Sequence, residues 1–529
     1  MSRPSTPPPI MRTTEDTPPK QKFTSGTLYN TKSLETNRTA VVKDIGDWVP
    51  TIPPQTFLDK LLPDHSDINL VNTKAYLIHR NVITNNRWKA FSEDNPADAT
   101  TNENTTFAKL QKVIGEVISA AGQHCDRSSN FYYGTGPNTA PESATEYPNL
   151  TRPDGYFLPT NVQENPTVSW YDIAVSAEFK KANKRDKLED DIHKLLWSMH
   201  HVLRSDPSRR FTYGFTIEDT DMRLWFCSRS AVIASTPFDF ITDQNTFIRA
   251  MTAFAFASKE ELGWDHSVEL HRPVSEPPYY TFEVHEWKDG KVIKTHEYRT
   301  VEPLSTFSAD AIIGRATRVY KAVLIDPVTG KPGTQTVALK DYWLDEDRAT
   351  ENEIQQAIYE DARGNQRQTA ILQKHLLTIV REGAVPTVDG NVDNTKTIMR
   401  DLDLRREEFH KLLLKDYSDQ IRQIRHGSGH HFAPSSGRNE LPYIFSAPKK
   451  HIRLVYFEVG IALHSIDRPH TFFSTIRDIV IALEVLTELG WVHRDVSPGN
   501  GLNCDGVGKL SDLEYAKKMS VDGSHELRT

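Results

Sequence analysis

Near the carboxyl end, the stretch WVHRDVSPGNGLNCDGVGKLSDLEYAK limits what this chain can fold into more than any other feature. It carries His493-Arg494-Asp495, then Asn500 five positions after the aspartate and Asp512 twelve positions after the asparagine. This is the spacing of the catalytic loop H-R-D-x-x-x-x-N followed by a metal-binding aspartate. Phosphoryl transfer needs these residue types at these places. One carboxylate orients and deprotonates an attacking hydroxyl, while an amide and a second carboxylate hold magnesium against the phosphates. A surface loop that reads His-Arg-Asp by chance has no reason to follow a long amphipathic helix, TFFSTIRDIVIALEVLTELG, and precede the strand-like GKLSDLE.

Upstream segments fall in a compatible order. Val337-Ala338-Leu339-Lys340 ends an apolar strand on a lysine of the type that pairs the α- and β-phosphates, although most such lysines are merely solvated. Ahead of it, IIGRATRVYKA aligns with a glycine-rich loop if Val319 closes the motif. Gly314 is then the one glycine kept, and Ile312 and Thr317 fill the other two places. The backbone there is bulkier near a phosphate than three glycines would make it. In RATENEIQQAIYEDAR, Glu351 shares a helical stripe with Ile354 and Ile358, which selects it as the ion-pair partner of Lys340, with Glu353 as the alternative. Only 11 residues separate Lys340 from Glu351, so that helix must be short or entered differently.

Together, KDYWLDEDRATENEI, the lone GRAT loop, RLVYFEVGIAL, WVHRDVSPGN and GKLSDLEYA resemble the fungal-type protein kinase family, over roughly residues 160–529. The resemblance implies a protein-kinase-like α+β domain with a β-rich N-lobe and a partial helical C-lobe. It also implies ATP and Mg2+ as cofactors and a protein as substrate. It makes Asp495 the catalytic base, flanked by Arg494 and His493, and Asn500 and Asp512 the magnesium ligands. Lys340 becomes the phosphate anchor, and Val455 to Ala462 the strand and hinge beside the adenine. Two departures stand out. Leu513-Glu514 replaces Phe-Gly, and the sequence ends at Thr529, 17 residues past Asp512. The expectation is a domain truncated after the metal-binding aspartate, with impaired phosphoryl transfer. The alternative is a non-catalytic nucleotide-binding or interaction protein.

The remaining organisation is read from composition and periodicity. Residues 1–44 open with Pro7-Pro8-Pro9 and Pro18-Pro19 and are predicted to form a disordered tail. Residues 45–275 are assigned to an α/β accessory domain. It contains the helix-patterned FAKLQKVIGEVISAAGQH, strand-like WYDIAVSAEFK, the helix DKLEDDIHKLLWSMHHVLR and paired strands in RRFTYGFTIEDTDMRLWFCSRSAVIAS. The kinase-like domain is assigned to 276–529. A hairpin with an Asp289-Gly290 type I′ turn opens it, and an irregular insertion is predicted over 363–450. Three distant cysteines exclude a disulfide framework, and no apolar run reaches the ~18–20 residues that span a bilayer. The amino terminus lacks an apolar signal region. These features read as a soluble intracellular protein, cytoplasmic or nuclear, with no membrane partner. A net charge of −8 argues against nucleic acid as a partner.

The first domain carries a second constellation. Pro153-Asp154 is followed, 24 residues after the aspartate, by Glu178-Phe179-Lys180 at the end of a strand-like run. This has the form P-D…(D/E)-x-K and resembles restriction-endonuclease-like folds, which implies two carboxylates on a metal and a lysine steadying hydroxide. Glu116 on the preceding helix is a candidate third ligand. The blander reading is a turn at Asp-Gly and an ordinary strand Glu-x-Lys within a docking or regulatory domain. His124, His193, His200, His201, His430 and His431 lack the spacing of a metal set and are read as surface or cap residues.

Overall fold

A computed structural model describes residues 34–519, except 126, 137, 144–150, 163–167, 307–308, 310, 405–408 and 415–447. The chain builds two large sheets. Helix α1 (Leu34–Ile45) and strand β1 (Trp48–Ile52) begin the first. After α2 (Lys109–Cys125) come β2 (Phe131–Thr135), β3 (Gly155–Pro159), β4 (Val175–Lys180), α3 (Arg185–Ser205), β5 (Phe211–Glu218), β6 (Asp221–Ser228), β7 (Val232–Ser235) and α4 (Gln244–Phe256). Strands β2, β3 and β4 are antiparallel neighbours, and β4 and β5 run parallel. A parallel pair needs a crossover, and α3 supplies it. Its Leu188, Ile192, Leu195, Met199 and Leu203 recur at helical spacing and are buried in the first core.

The second sheet is antiparallel. It contains β8 (Val268–His271), β9 (Tyr279–Lys288), β10 (Lys291–Ser305), β11 (Arg318–Ile325), β12 (Pro332–Asp345), β13 (Ile379–Ala384) and, later in the chain, a strand at Lys449–Tyr456. The turn between β9 and β10 has φ of 50° at Asp289 and 73° at Gly290, the two positive angles a type I′ turn requires. Between β12 and β13 lie α5 (Glu351–Asp361) and α6 (Gln366–His375), and β14 (His410–Leu413) precedes the Lys449–Tyr456 strand, β15. The sheet order is β8-β9-β10-β11-β12-β15-β13. Helix α7 (Pro469–Glu488) packs with α5 and α6 through Ile354, Ile358, Leu372, Ile479 and Leu486. Proline opens α7 at a position whose N–H has no helical partner, and Gly490, at φ 78°, lets the chain leave it. Strands β16 (Gly501–Cys504) and β17 (Val507–Leu510) follow as a hairpin.

Three boundaries differ from those read in the sequence. The stretch predicted as tail includes α1, whose Ala40, Val41, Val42 and Ile45 are buried against the first core; residues 1–33 lie outside the described residues. The predicted insertion contains α6, β13 and β14, all folded; its charge hid short strands whose partners are remote in sequence. Strand β8, placed in the first domain, pairs with β9, while β14 pairs with β1 and gives the first sheet its order β14-β1-β7-β6-β5-β4-β3-β2. The two sheets are further joined by a buried set of ions. Arg453 bridges Asp265 at 2.5 Å and Asp341 at 2.9 Å, His451 contacts Asp341 at 2.9 Å and Asp393 at 3.2 Å, and Arg210 reaches Asp393 at 3.1 Å.

Candidate active site

Lys340 leaves β12 near the middle of the second sheet and is 5% exposed. Its Nζ donates to Glu351 Oε2 at 2.9 Å, to Asp512 Oδ1 at 2.7 Å and to Glu514 Oε2 at 3.4 Å. Glu351 reaches it because it is the first residue of α5, which settles how the two meet across so short a connection. Glu353 is engaged elsewhere. Thr350 caps the helix by accepting from the Glu353 N–H, and the Glu353 carboxylate accepts from the Thr350 N–H at 2.7 Å. The second oxygen of Glu351 accepts from the Leu513 N–H at 3.2 Å, tying α5 to the segment after Asp512. Burial alone would lower the Lys340 ammonium, but Asp512 and Glu351 outweigh it and hold it above its ordinary value. Burial would likewise raise the Asp512 carboxyl, yet Lys340 and Arg315 keep it below the usual carboxylate range.

The His493–Asp495 loop is organised from beneath. The buried His493 ring contacts the Ser511 carbonyl at 3.0 Å through Nε2, and its Nδ1 accepts from the Asp495 N–H at 3.3 Å. Asn500 Nδ2 donates to Asp495 O at 2.8 Å and Oδ2 at 3.2 Å, which leaves the side-chain oxygen Oδ1 of Asn500 as the atom it can offer a cation. Ser511 N–H returns to Asn500 O at 2.9 Å. Arg494 and Asp512 adopt φ of 67° and 64°, the left-handed region that non-glycine residues enter at a cost and that clusters at active sites. Lys340, Glu351 and Asp512 thus share one buried cluster, and Asp495 and Asn500 form a second contact joined to it through Ser511.

Glu514 and Arg315 were given no role in the sequence reading. Glu514 is 4% exposed and forms an ion pair with Arg315, which also lies 5.3 Å from the Tyr515 ring. Carboxylate oxygens of Glu351, Asp512 and Glu514 lie within 4.8 Å of one another, so the donor set suits a hard, oxygen-loving cation such as magnesium. The D-x-E spacing of Asp512 and Glu514 was the available signal. Gly314 lies between β10 and β11, at φ 144°, and its N–H donates to Arg229 O of the first sheet at 3.0 Å. Ile312 and Ile313 are buried in the first core, so this loop is anchored on the accessory domain rather than standing free. Val319, half-buried, packs with Ala338, Tyr456, Val459, Leu502 and Cys504 in an apolar layer between β11–β12 and β16.

In the first domain, β3 and β4 pair Gly155 with Ala177 and Tyr156 with Ser176, and Asp154, just before β3, accepts from the Phe179 N–H at 2.8 Å. Gly155 is no turn glycine: it lies in β3, where a Cβ would come within 2.0 Å of Tyr133 Oη. Lys180 Nζ contacts Glu103 at 3.1 Å, and Asp190 and Asp191 at 3.6 Å each. Glu103, from the short helix Glu103–Phe107, therefore occupies the flank expected of Glu116, which sits elsewhere on α2. Of the discounted histidines, His201 is buried beside Ser143 and Ser205, His193 bonds the Leu414 carbonyl at 2.9 Å, and His430 and His431 lie outside the described residues.

Among the described residues no helix is long and apolar enough to cross a membrane. The model of the fungal protein kinase family matches residues 152–529, most of the chain with all of the second sheet and the first sheet apart from β1 and β2, so the chain belongs to that family. No curated protein matches it.

Proposed function

We propose that this member of the fungal protein kinase family binds ATP with magnesium and transfers the γ-phosphoryl group to a serine or threonine hydroxyl of a protein. The observation that carries the reading is the buried bridge of Lys340 to both Glu351 and Asp512, which draws three separate elements onto one ammonium. In this reading Glu351 holds Lys340 toward the α- and β-phosphates. Asp512, Glu514 and the Asn500 side-chain oxygen Oδ1 hold magnesium, which neutralises charge on the phosphates when bound. Asp495 accepts the hydroxyl proton, its carboxylate steadied by the Asn500 amide. The layer containing Val319, Ala338 and Leu502 takes the flat adenine, and Val455 to Ala462 runs along its edge. With a single glycine in the loop, Arg315 supplies a guanidinium where backbone amides would otherwise meet phosphate.

Millimolar Mg-ATP is expected to raise the melting temperature of the purified chain, and Lys340→Met and Asp512→Asn should each reduce that rise. An unchanged melting curve for the unsubstituted chain rejects nucleotide binding. Transfer of labelled γ-phosphate to a generic protein substrate, lost in Asp495→Asn, supports catalysis. A thermal rise without any transfer dependent on Asp495 favours the non-catalytic, nucleotide-binding alternative.

A further inference from the structure

We infer, on the reading of the Lys340 cleft as a nucleotide site, that the first sheet supplies part of that site: Arg229, in the turn between β6 and β7, is a positioning residue that holds Arg315 for the phosphates of ATP. Arg229 is 1% exposed, and a buried guanidinium costs the fold heavily unless its donors are used. Here they join two units. Nη2 donates to Leu203 O at 2.5 Å, a carbonyl in the last turn of α3 that the helix itself leaves unpaired. Nη1 donates to Ala311 O at 2.9 Å and to Ile312 O at 3.3 Å, in the loop before β11. The main-chain oxygen of Arg229 accepts from the Gly314 N–H at 3.0 Å. Lysine at 229 would keep the charge, but a single ammonium has no planar fork to reach both Leu203 and the loop carbonyls.

Arg315 is held between fixed neighbours. Gly314 before it is bonded to Arg229, and the Arg315 carbonyl accepts from the Trp343 N–H of β12 at 2.8 Å. Its side chain pairs with Glu514 and lies 5.4 Å from the Tyr342 ring and 5.3 Å from the Tyr515 ring. Its Nε and Nη2 are buried and have no hydrogen-bond partner among the described residues. Those two nitrogens form one edge of the guanidinium fork, an edge that can donate to two phosphate oxygens at once. Buried donors are normally satisfied, so an unused pair beside Lys340 and Asp512 points to an anion that arrives from outside. The one loop glycine cannot take that part, because its N–H is already bonded to Arg229. Phosphate recognition from this side therefore falls to Arg315, and its placement falls to Arg229.

Calorimetric titration of the full chain with Mg-ATP and with adenosine separates this role from general support, because adenosine has no phosphates and meets only the apolar layer. Arg229→Lys is expected to weaken Mg-ATP about tenfold, the effect of one charge-assisted hydrogen bond, and to leave adenosine affinity unchanged. Arg315→Met should show the same pattern, and the double variant should lose no more than Arg315→Met alone, since one residue acts through the other. Circular dichroism checks that each variant is folded. Equal weakening of both ligands, unaltered Mg-ATP binding in Arg229→Lys, or additive losses in the double variant overturns the role of Arg229. Should Arg229→Lys fail to fold, amide exchange in the unsubstituted chain decides. The Gly314 N–H should stay protected with and without Mg-ATP, and rapid exchange in the bound chain would show that the loop leaves the first sheet. An unsubstituted chain that binds neither ligand overturns the nucleotide reading and this role with it, whereas binding that ignores Arg229 overturns the role alone.

Discussion

In the second sheet, Lys340 stands among Glu351, Asp512 and Glu514, and Arg315 closes the same cluster from the loop before β11. In the first sheet, Asp154 bonds the Phe179 N–H beside the buried Glu178 while Lys180 is drawn off to Glu103 and the aspartates of α3. Both clusters are buried and rich in carboxylates, yet their charge is shifted in opposite directions. Asp512 is held below its ordinary range because, although burial opposes it, Lys340 and Arg315 prevail. Glu178 is pushed well above its ordinary range by burial, and the charges of Asp154 and Asp191 push it further. What separates them is whether an amino or guanidinium group is aimed at the acids or past them. The number of lysines nearby does not decide it.

The sharpest way to break that contrast is to remove the aimed cation. Lys340→Met takes from Glu351 and Asp512 the ammonium they share and leaves Arg315 and the Leu513 N–H beside them, so stability should fall by about 3 kcal/mol in denaturant unfolding. A loss under 1 kcal/mol would show that Lys340 does not hold this cluster together.

The next test is pH dependence, where the two clusters should differ in sign. Glu218, which adds its charge to the first cluster through Asp191, is pushed up to about 7 by burial despite Arg223. Between its ordinary value of 4.5 and about 7, the folded chain keeps a proton that the unfolded chain has released. Its contribution to stability is therefore present below 4.5 and lost as pH rises through about 7. Asp512, being depressed, contributes above its ordinary 3.8 and loses that contribution as pH falls below it. Melting temperatures of metal-free protein should accordingly show a declining component from pH 4.5 to 7 that Glu218→Gln removes and Asp512→Asn does not. A component unaltered by Glu218→Gln would remove the difference in sign.

Smaller effects sharpen the picture. Glu178→Gln deletes an uncompensated charge, so the metal-free chain should gain on the order of 1 kcal/mol, the reverse of Lys340→Met. A destabilised variant would mean that Glu178 is already paired. Glu353→Ala should cost about 0.5–1 kcal/mol through its capping box and leave the Mg-ATP thermal shift intact, whereas Glu351→Gln should diminish that shift. Equal loss of the shift in both variants would contradict the distinction between the two glutamates.

Legibility followed distance along the chain. His493, Asp495, Asn500 and Asp512 lie within one short segment, where spacing alone carries their arrangement. Glu351 was legible from its stripe with Ile354 and Ile358, and the capping box explains why its neighbour Glu353 cannot serve as well. Residues brought in by a different element left no such trace. Glu103 comes from a five-residue helix, Asp191 is one acid among several on α3, and Arg315 follows the only glycine of its loop. Strand β14 was hidden because its strand partner among the described residues, β1, begins more than 350 residues earlier.

That last strand bears on how the protein can be divided. Residues 410–413 lie along Trp48 to Thr51 and cover the open edge of the first sheet. In the other direction, Val268–His271 leaves the first unit to border the second. Neither half therefore owns all of its own backbone pairing. A kinase fragment cut out at a linear boundary would carry an orphan strand, and the accessory fragment would expose a bare edge ready to pair with its own copies. The two units are better treated as one inheritance and one expression unit than as beads on a string.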